Sequence, residues 1–436
     1  MIEELECALD TLDAYWWLTL EEGEIKPASC LQTFANYVLS FFTDAHQKAL
    51  KERFVEVLRE VDCTTAKAQI VLEKMNMLQG RTMWDTPAQL PELTSLLLVK
   101  EEIQSFPHQI QPYVENGRFY NYPGEPIWTQ FIETLRLLFV GATDAVTHLD
   151  DLSETYRTSA PVTPRNFTNE PLITWIGHAC VLIQVAGMNL LFDPSFGFVA
   201  PCFIRHVEPG ITRKELPLID ALFLSHNHAD HANQLEAFVP YAPTVFAGEG
   251  SEEWLQGSGF ERVETCNWWQ LVKVSRAGQE IRITAVPAQH GSQTGLLDMN
   301  KMLWCGYVIE IGEMTLYFSG DTAMGHELVD KDLNSQKLFE QIRSQFGPID
   351  IAFLPISPQN ELTVHIDEEQ ALEAMRELDA KMMIPIHWGA YRTGKEQIEV
   401  PIKALLEKAG DLEDRIHVLK MGEPFSYVQN ADEKMA

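Results

Sequence analysis

Paired thiols, long apolar runs and a surplus of cations are what this 436-residue chain lacks. Its seven cysteines (Cys7, Cys30, Cys63, Cys180, Cys202, Cys266 and Cys305) are odd in number, and none stands in a Cys-x-x-Cys pair. That argues against a disulfide framework and for free thiols in a reducing compartment. The longest uninterrupted apolar runs, such as Leu96-Leu97-Leu98-Val99, fall far short of a bilayer span. The opening Met1-Ile2-Glu3-Glu4-Leu5-Glu6 lacks the basic segment of a secretion signal, so a soluble cytoplasmic protein is expected. Lys and Arg number 33 against 63 Asp and Glu, a net charge of −30. Such a body repels nucleic-acid backbones and anionic membrane faces, and no nucleic-acid partner is expected. What remains is ordinary for a globular protein, 45% hydrophobic and 22% charged, with length for two domains and a large core.

Residues 1–150 read as an all-helical accessory domain. Leu5, Leu9, Leu12 and Trp16 recur at three- and four-residue spacing, as do Leu31, Phe34, Val38 and Phe41, then Leu50, Phe54, Val57 and Val61. Pro27 suits a helix start, Gly80 suits a C-cap, and a further apolar helix is expected over residues 126–140. His46, His108 and His148 have no carboxylate at ligand spacing, so the Glu-x-x-His pairs of a di-iron bundle are missing. Trp16, Trp17, Phe41, Phe42 and Trp84 suit a buried core better than a substrate tunnel. Dimer contact, substrate lid and carrier docking are the candidate roles, and the residues do not choose among them. Residues 151–170, with Ser159, Pro161, Pro164 and Asn166, read as a linker.

Over residues 171–430 the texture changes to an α+β domain. Strands are expected at 172–176, 180–185, 190–194, 244–247, 349–356 and 382–386, with hairpins around 271–287 and 306–319. Helices are expected over 251–256 and 368–378, and the Pro-containing stretch 195–217 reads as a loop that covers a site. Many hairpins with helices late in each half predict two mixed sheets packed face to face, helices outside.

The chemistry gathers behind the apolar run 219–224, in Ser225-His226-Asn227-His228-Ala229-Asp230-His231. A strand carries side chains with period two, so His226 and His228 can aim together. If a helix follows, Asp230 and His231 come round to a neighbouring point. Two adjacent ions suit that arrangement, and each needs more ligands than the cluster supplies. Three more ligand types stand where strands run out: His290 after 286–289, Asp321 after 316–320, and His387 after 384–386. We expect His226, His228 and His290 to bind one ion, Asp230, His231 and His387 the other, and Asp321 to bridge them. Imidazole and carboxylate without thiolate suit two Zn²⁺, with Fe or Mn as alternatives. Asp193, in Phe192-Asp193-Pro194, is a candidate to accept a ligand histidine's N–H and fix its tautomer, or is an Asp-Pro turn residue.

This constellation resembles the metallo-β-lactamase superfamily, whose signature is His226-x-His228-x-Asp230-His231 as it stands here. Trp175-Ile176-Gly177-His178-Ala179, Phe192-Asp193-Pro194, Pro287-Ala288-Gln289-His290, Gly320-Asp321-Thr322, His365-Ile366-Asp367 and Ile386-His387-Trp388-Gly389 look like N-acylphosphatidylethanolamine-hydrolysing phospholipase D and its bacterial relatives. Leu419-Lys420-Met421-Gly422-Glu423 looks like that family's closing strand, and the likeness runs from about residue 170 to 428. The resemblance implies an αββα sandwich with two zinc ions at one edge, and a metal-bound hydroxide attacking a phosphodiester of a lipid or small molecule. It assigns Asp230 to orient the hydroxide or pass its proton. It also offers His365 and His178 as polar contacts to substrate or as structural hydrogen bonds.

Two stretches depart from the family pattern. Gly291-Ser292-Gln293-Thr294 is small and uncharged where the family has an aromatic and then a basic residue, and 357–364 also lacks the family's basic and aromatic residues. An anionic phospholipid head group loses its cationic partner there. A lactonase or thioesterase cleaving C–O or C–S bonds is therefore the nearest alternative. A di-iron oxygen-using enzyme on the same fold is a further one, although such enzymes place glutamate where His228 or His290 stands. A metal-free scaffold would require lost ligands, and none is lost. Peripheral membrane contact and self-association stay open, as do the substrate, the metal and the pathway.

Overall fold

A computed structural model describes residues 96–125, 153–158 and 166–427, with short interruptions in the first and last of these ranges. The expected helices before residue 96 and over 126–140, and the histidines His46, His108 and His148, lie outside the described residues. The chain divides into two compact units. The second spans residues 84–125, 151–197 and 205–436 and holds both large sheets.

In chain order the strands begin with β1 (Leu97–Glu102), β2 (Tyr113–Glu115) and β3 (Arg118–Tyr120). Then come β4 (Leu172–Gly177), β5 (Cys180–Val185), β6 (Met188–Phe192), β7 (Ala221–Phe223), β8 (Thr244–Gly248) and β9 (Val263–Cys266). Next are β10 (Gln270–Arg276), β11 (Gln279–Val286), β12 (Gly306–Ile311) and β13 (Met314–Phe318). The last are β14 (Ile351–Pro355), β15 (Met382–Ile386) and β16 (Pro424–Ser426). Helices α1 (Glu252–Gly257), α2 (Leu338–Phe346), α3 (Glu368–Glu377) and α4 (Val400–Lys408) fall between them.

Two seven-stranded mixed sheets result, in the orders β1-β10-β11-β12-β13-β14-β15 and β16-β4-β5-β6-β7-β8-β9. Each starts with antiparallel hairpins and ends with parallel pairs, from β13 onward in one sheet and from β6 onward in the other. Strands β5 and β6 are buried along their whole length and mostly apolar because both of their faces are covered. The polar side chains they carry, Gln184 and Asn189, hydrogen-bond to one another. Ala186 and Gly187 join these two with φ of 51° and 73°, as a two-residue hairpin loop requires.

Aromatic rings fill the space between the sheets. Phe192 and Phe223 stack at 4.6 Å, Phe192 meets Phe318 at 5.0 Å, and Phe223 meets Tyr307 at 5.4 Å. On the outer face of the second sheet, Leu182, Leu191, Leu222 and Val245 bury against Leu235, Phe238, Leu255 and Phe260. Helix α3 lies against β14 and contacts α2 and α4, so helices flank both sheets and the αββα layering holds. Among the described residues no helix is long and apolar enough to cross a membrane.

Three expectations need correction. Residues 97–102 and 113–120, read as part of a helical domain, are strands. The run Leu96–Val99 has no period that separates strand from helix, and the open edge of β10 decides the matter by pairing antiparallel with β1. The supposed linker is held to the fold over 153–158: Met421 donates its N–H to Tyr156 O, Thr158 donates to Met421 O, and Tyr156 meets Trp388 edge-on at 5.5 Å. The closing strand is 424–426 rather than 419–423, and pairs with β4.

Candidate metal centre

The sheets deliver their functional side chains at strand ends. Asp193 follows β6, Ser225 and His226 follow β7, His290 follows β11, Asp321 follows β13 and His387 follows β15, while His178 sits in the β4–β5 turn. These include carboxyl ends of parallel strands, where α/β sheets open a crevice. After His228 no helix forms. His231 and Ala232 both donate their N–H to His228 O, making one tight turn that swings Asp230 and His231 beside the two preceding histidines.

Two groups emerge. In the first, His226 Nε2 and His290 Nε2 lie 2.8 and 3.2 Å from His228 Nδ1. In the second, His231 Nε2 and His387 Nε2 lie 3.8 and 3.7 Å from Asp230 Oδ2, and each is 3.1 Å from Asp321 Oδ2. That Asp321 oxygen is also 3.8 Å from His290 Nε2, placing it between the groups. Donors around a tetrahedral zinc at 2.0–2.1 Å are separated by about 3.3 Å, so both groups have the right size for an ion.

The hydrogen bonds behind the rings set their tautomers. His231 Nδ1–H donates to Asp193 Oδ2 (2.7 Å), His290 Nδ1–H to Val364 O (2.7 Å) and His387 Nδ1–H to Ser357 O (2.8 Å). Ser225 Oγ–H donates to Asp193 Oδ2 (2.6 Å), so the Ser225 oxygen accepts from His226 Nδ1–H at 2.9 Å. All four Nε2 atoms are thereby presented to the centre. His231 Nε2, His387 Nε2 and Asp321 Oδ1 are buried and make no hydrogen bond, a deficit that cations would satisfy. The donor set is imidazole and carboxylate, and no cysteine joins any such group among the described residues.

Electrostatics divide the rings. Burial and the neighbouring rings hold His226 well below the ordinary imidazole range and His228 down at about 3, so both are neutral and able to ligate. Burial opposes charge on His231 and His387 too. There Asp321 and Asp230 more than offset it, holding His231 well above its ordinary value and His387 at about 9. Both rings are thereby biased toward the protonated form where no cation is bound.

The other candidates fall as follows. Asp193 is fully buried beneath the centre and also accepts the Ser225 N–H at 2.7 Å, so it fixes His231 and the turn rather than capping an Asp-Pro turn. Asp193→Asn keeps the shape but aims an amide donor at His231 Nδ1–H and the Ser225 hydroxyl. We expect metal affinity to fall about 10–100-fold in a folded protein, measured by competition with a chelator.

His178 packs behind Asp230. Its side chain is 0% exposed, and its Nε2–H donates to Asp230 Oδ2 at 3.0 Å while its ring lies 4.0 Å from that of His387. Burial holds it neutral, at about 3. Asp230, 18% exposed, and half-buried His228 mark the open side of the centre. His365 stands beside Asp321, with Nδ1 3.6 Å from Oδ2 and no hydrogen bond, and burial keeps it neutral.

Gly320 has φ of 58°, and a Cβ built there meets Ser225 Cβ at 2.3 Å. Gly320→Ala therefore pushes the Asp321 turn against the serine that orients His226. We expect a loss of about 2–4 kcal/mol in thermal unfolding, from backbone strain and overpacking together.

Asn121 escaped the sequence reading, and no motif marks it. It lies in a segment read as helical, yet its side chain pairs with the backbone of His290.

Residues 188–388 match the model of the Beta-lactamase superfamily domain. The chain is 30% identical over 276 residues to N-acyl-phosphatidylethanolamine-hydrolyzing phospholipase D 1 of Caenorhabditis elegans, covering 57% of this chain and 74% of that one. It is 28% identical over 267 residues to the mitochondrial N-acyl-phosphatidylethanolamine-hydrolyzing phospholipase D of Saccharomyces cerevisiae, covering 57% of this chain and 54% of that protein. A metal-dependent hydrolase of Koribacter versatilis is 28% identical over 264 residues, covering 58% of this chain and 97% of the hydrolase.

Proposed function

Because the chain belongs to the metallo-β-lactamase superfamily and is related to the N-acylphosphatidylethanolamine-hydrolysing phospholipases D, we propose that it is a two-metal hydrolase acting on a phosphodiester of a lipid or small molecule. The observation that carries this reading is the pair of donor groups sharing Asp321, all imidazole and carboxylate. His226, His228 and His290 would hold one ion, Asp230, His231 and His387 the other, with Asp321 between them. Zn²⁺ suits this donor set. Bound there, two such ions would lower the pKa of a water and steady the charge that develops on phosphoryl oxygens.

The chain's own residues do the rest. His178 Nε2–H holds one oxygen of Asp230, so that carboxylate keeps a fixed direction at the open side and can accept a proton from the attacking water. Asp193 locks His231, and Ser225 locks His226, before substrate arrives. Neutral His365 packs beside Asp321 with its Nδ1 buried and adds no charge to the centre. Three buried free thiols, Cys180, Cys266 and Cys305, support a reducing compartment such as the cytoplasm.

The uncharged run 291–294 favours the second reading, an ester or thioester substrate with no anionic group. Turnover of bis(p-nitrophenyl)phosphate beside a panel of lactones and thioesters separates the two. Phosphodiester turnover that disappears on chelation is the expected result. Lactone turnover without phosphodiester turnover overturns it.

A further inference from the structure

His290 is held from outside the 188–388 domain. Asn121, at the end of the β2–β3 hairpin, accepts the His290 N–H through Oδ1 at 3.1 Å and donates Nδ2–H to His290 O at 2.7 Å. The amide acts as one more peptide group, pairing both polar atoms of that backbone position. Asn121 is itself fixed, since its N–H and its Nδ2–H donate to the Glu125 carboxylate at 2.7 and 2.9 Å. The hairpin is tied to the same loop by further bonds. Phe119 donates its N–H to Asn300 O at 2.7 Å, and Arg118 donates to Met299 O. Asn300 in turn pairs with Ser292, donating its N–H to Ser292 O at 2.7 Å and accepting the Ser292 N–H at 3.2 Å. Upstream, Trp269 Nε1–H donates to Ile110 O at 2.7 Å and Ile110 donates to Gln341 Oε1 at 3.1 Å, so the segment is anchored on both sides of the hairpin.

We infer that residues 110–125 are a built-in part of the metal centre, and that Asn121 is a positioning residue for His290. The inference rests on the reading of His290 as a ligand. Both backbone bonds to Asn121 and the ring bond from Nδ1 to Val364 O help to fix this histidine. Only a side chain with adjacent donor and acceptor meets the first two. Alanine at 121 removes both of these bonds from a buried backbone position, and the strand end that aims His290 Nε2 at His228 Nδ1 loses the clamp that directs it. An aspartate there keeps the acceptor for the His290 N–H but turns a carboxylate oxygen toward His290 O and the Glu125 carboxylate, where the amide had a donor.

The test compares Zn²⁺ content and Zn²⁺ affinity, the latter by competition with a chromophoric chelator, in wild-type protein and in three variants. Asn121→Ala is expected to bind its weaker ion about 10–100-fold less tightly, and Asn121→Asp at least as weakly, because its second oxygen faces His290 O and the Glu125 carboxylate. Asn166→Ala, which removes comparable amide bonds to Glu170 O and Gln184 O far from the centre, is the control and is expected to keep wild-type affinity. Should Asn121→Ala fail to fold, Glu125→Gln weakens the same clamp from its half-buried end and is expected to lower affinity several-fold. Wild-type affinity in every folded clamp variant overturns the positioning role. Wild-type protein that takes up no Zn²⁺ overturns the ligand reading instead, so the two failures are distinct.

Discussion

His228→Ala is expected to leave a folded protein with one metal equivalent per chain fewer than wild type and turnover reduced by about a thousandfold or more. Its Nδ1 is the atom that both other imidazoles of its group approach, at 2.8 and 3.2 Å. Removing it leaves this ion with His226, His290 and only its share of Asp321. The fold should tolerate the change because His228 is only half-buried, on the open side of the centre. One ion's contribution to charge stabilisation is worth several kcal/mol, and about 4 kcal/mol corresponds to a thousandfold in rate. Unchanged metal content measured by elemental analysis would contradict the assignment.

Asp321→Asn should act more broadly. Its carboxylate is the anion nearest both groups, and two cations about 3.5–4 Å apart need such a charge between them. We expect at most one ion retained, and turnover at least as low as in His228→Ala. The variant should also change proton release. With Asp321 and Asp230 present, His231 and His387 are biased toward the protonated form where no cation is bound, and ligation must expel those protons. Affinity of wild type for its second ion therefore rises with pH up to about 9, and loading at pH 7 releases protons. In Asp321→Asn the largest pull on these rings is gone, so fewer protons are released, as calorimetry in buffers of different ionisation heat would show. Equal release in both proteins would contradict the coupling.

The sequence made the candidate ligands legible because each stands where an apolar run ends in a small residue or turn. His226, His290, Asp321 and His387 all follow that pattern, and the structure brings them together. Asp193 was legible as a partner for a histidine, although which ring it holds depends on β6 and β7 lying side by side. The role of His178 was not legible. Its distance from Asp230 is set by a crossing of the chain 52 residues later, and only its 0% exposure separates a buried donor from a substrate contact. Asn121 was hidden for a different reason: one asparagine carries no periodic or spacing signal, and its function arises from a backbone partner 169 residues away. β1 was misread because four successive apolar residues fit strand and helix alike, and the free edge of β10 decided between them.

Anomalous diffraction from crystals of metal-replete protein tests the central claim most directly. Two peaks per chain are predicted, one enclosed by His226, His228 and His290, the other by Asp230, His231 and His387, with the Asp321 carboxylate between. A single peak elsewhere, or fully loaded protein with these seven side chains away from any ion, would contradict it.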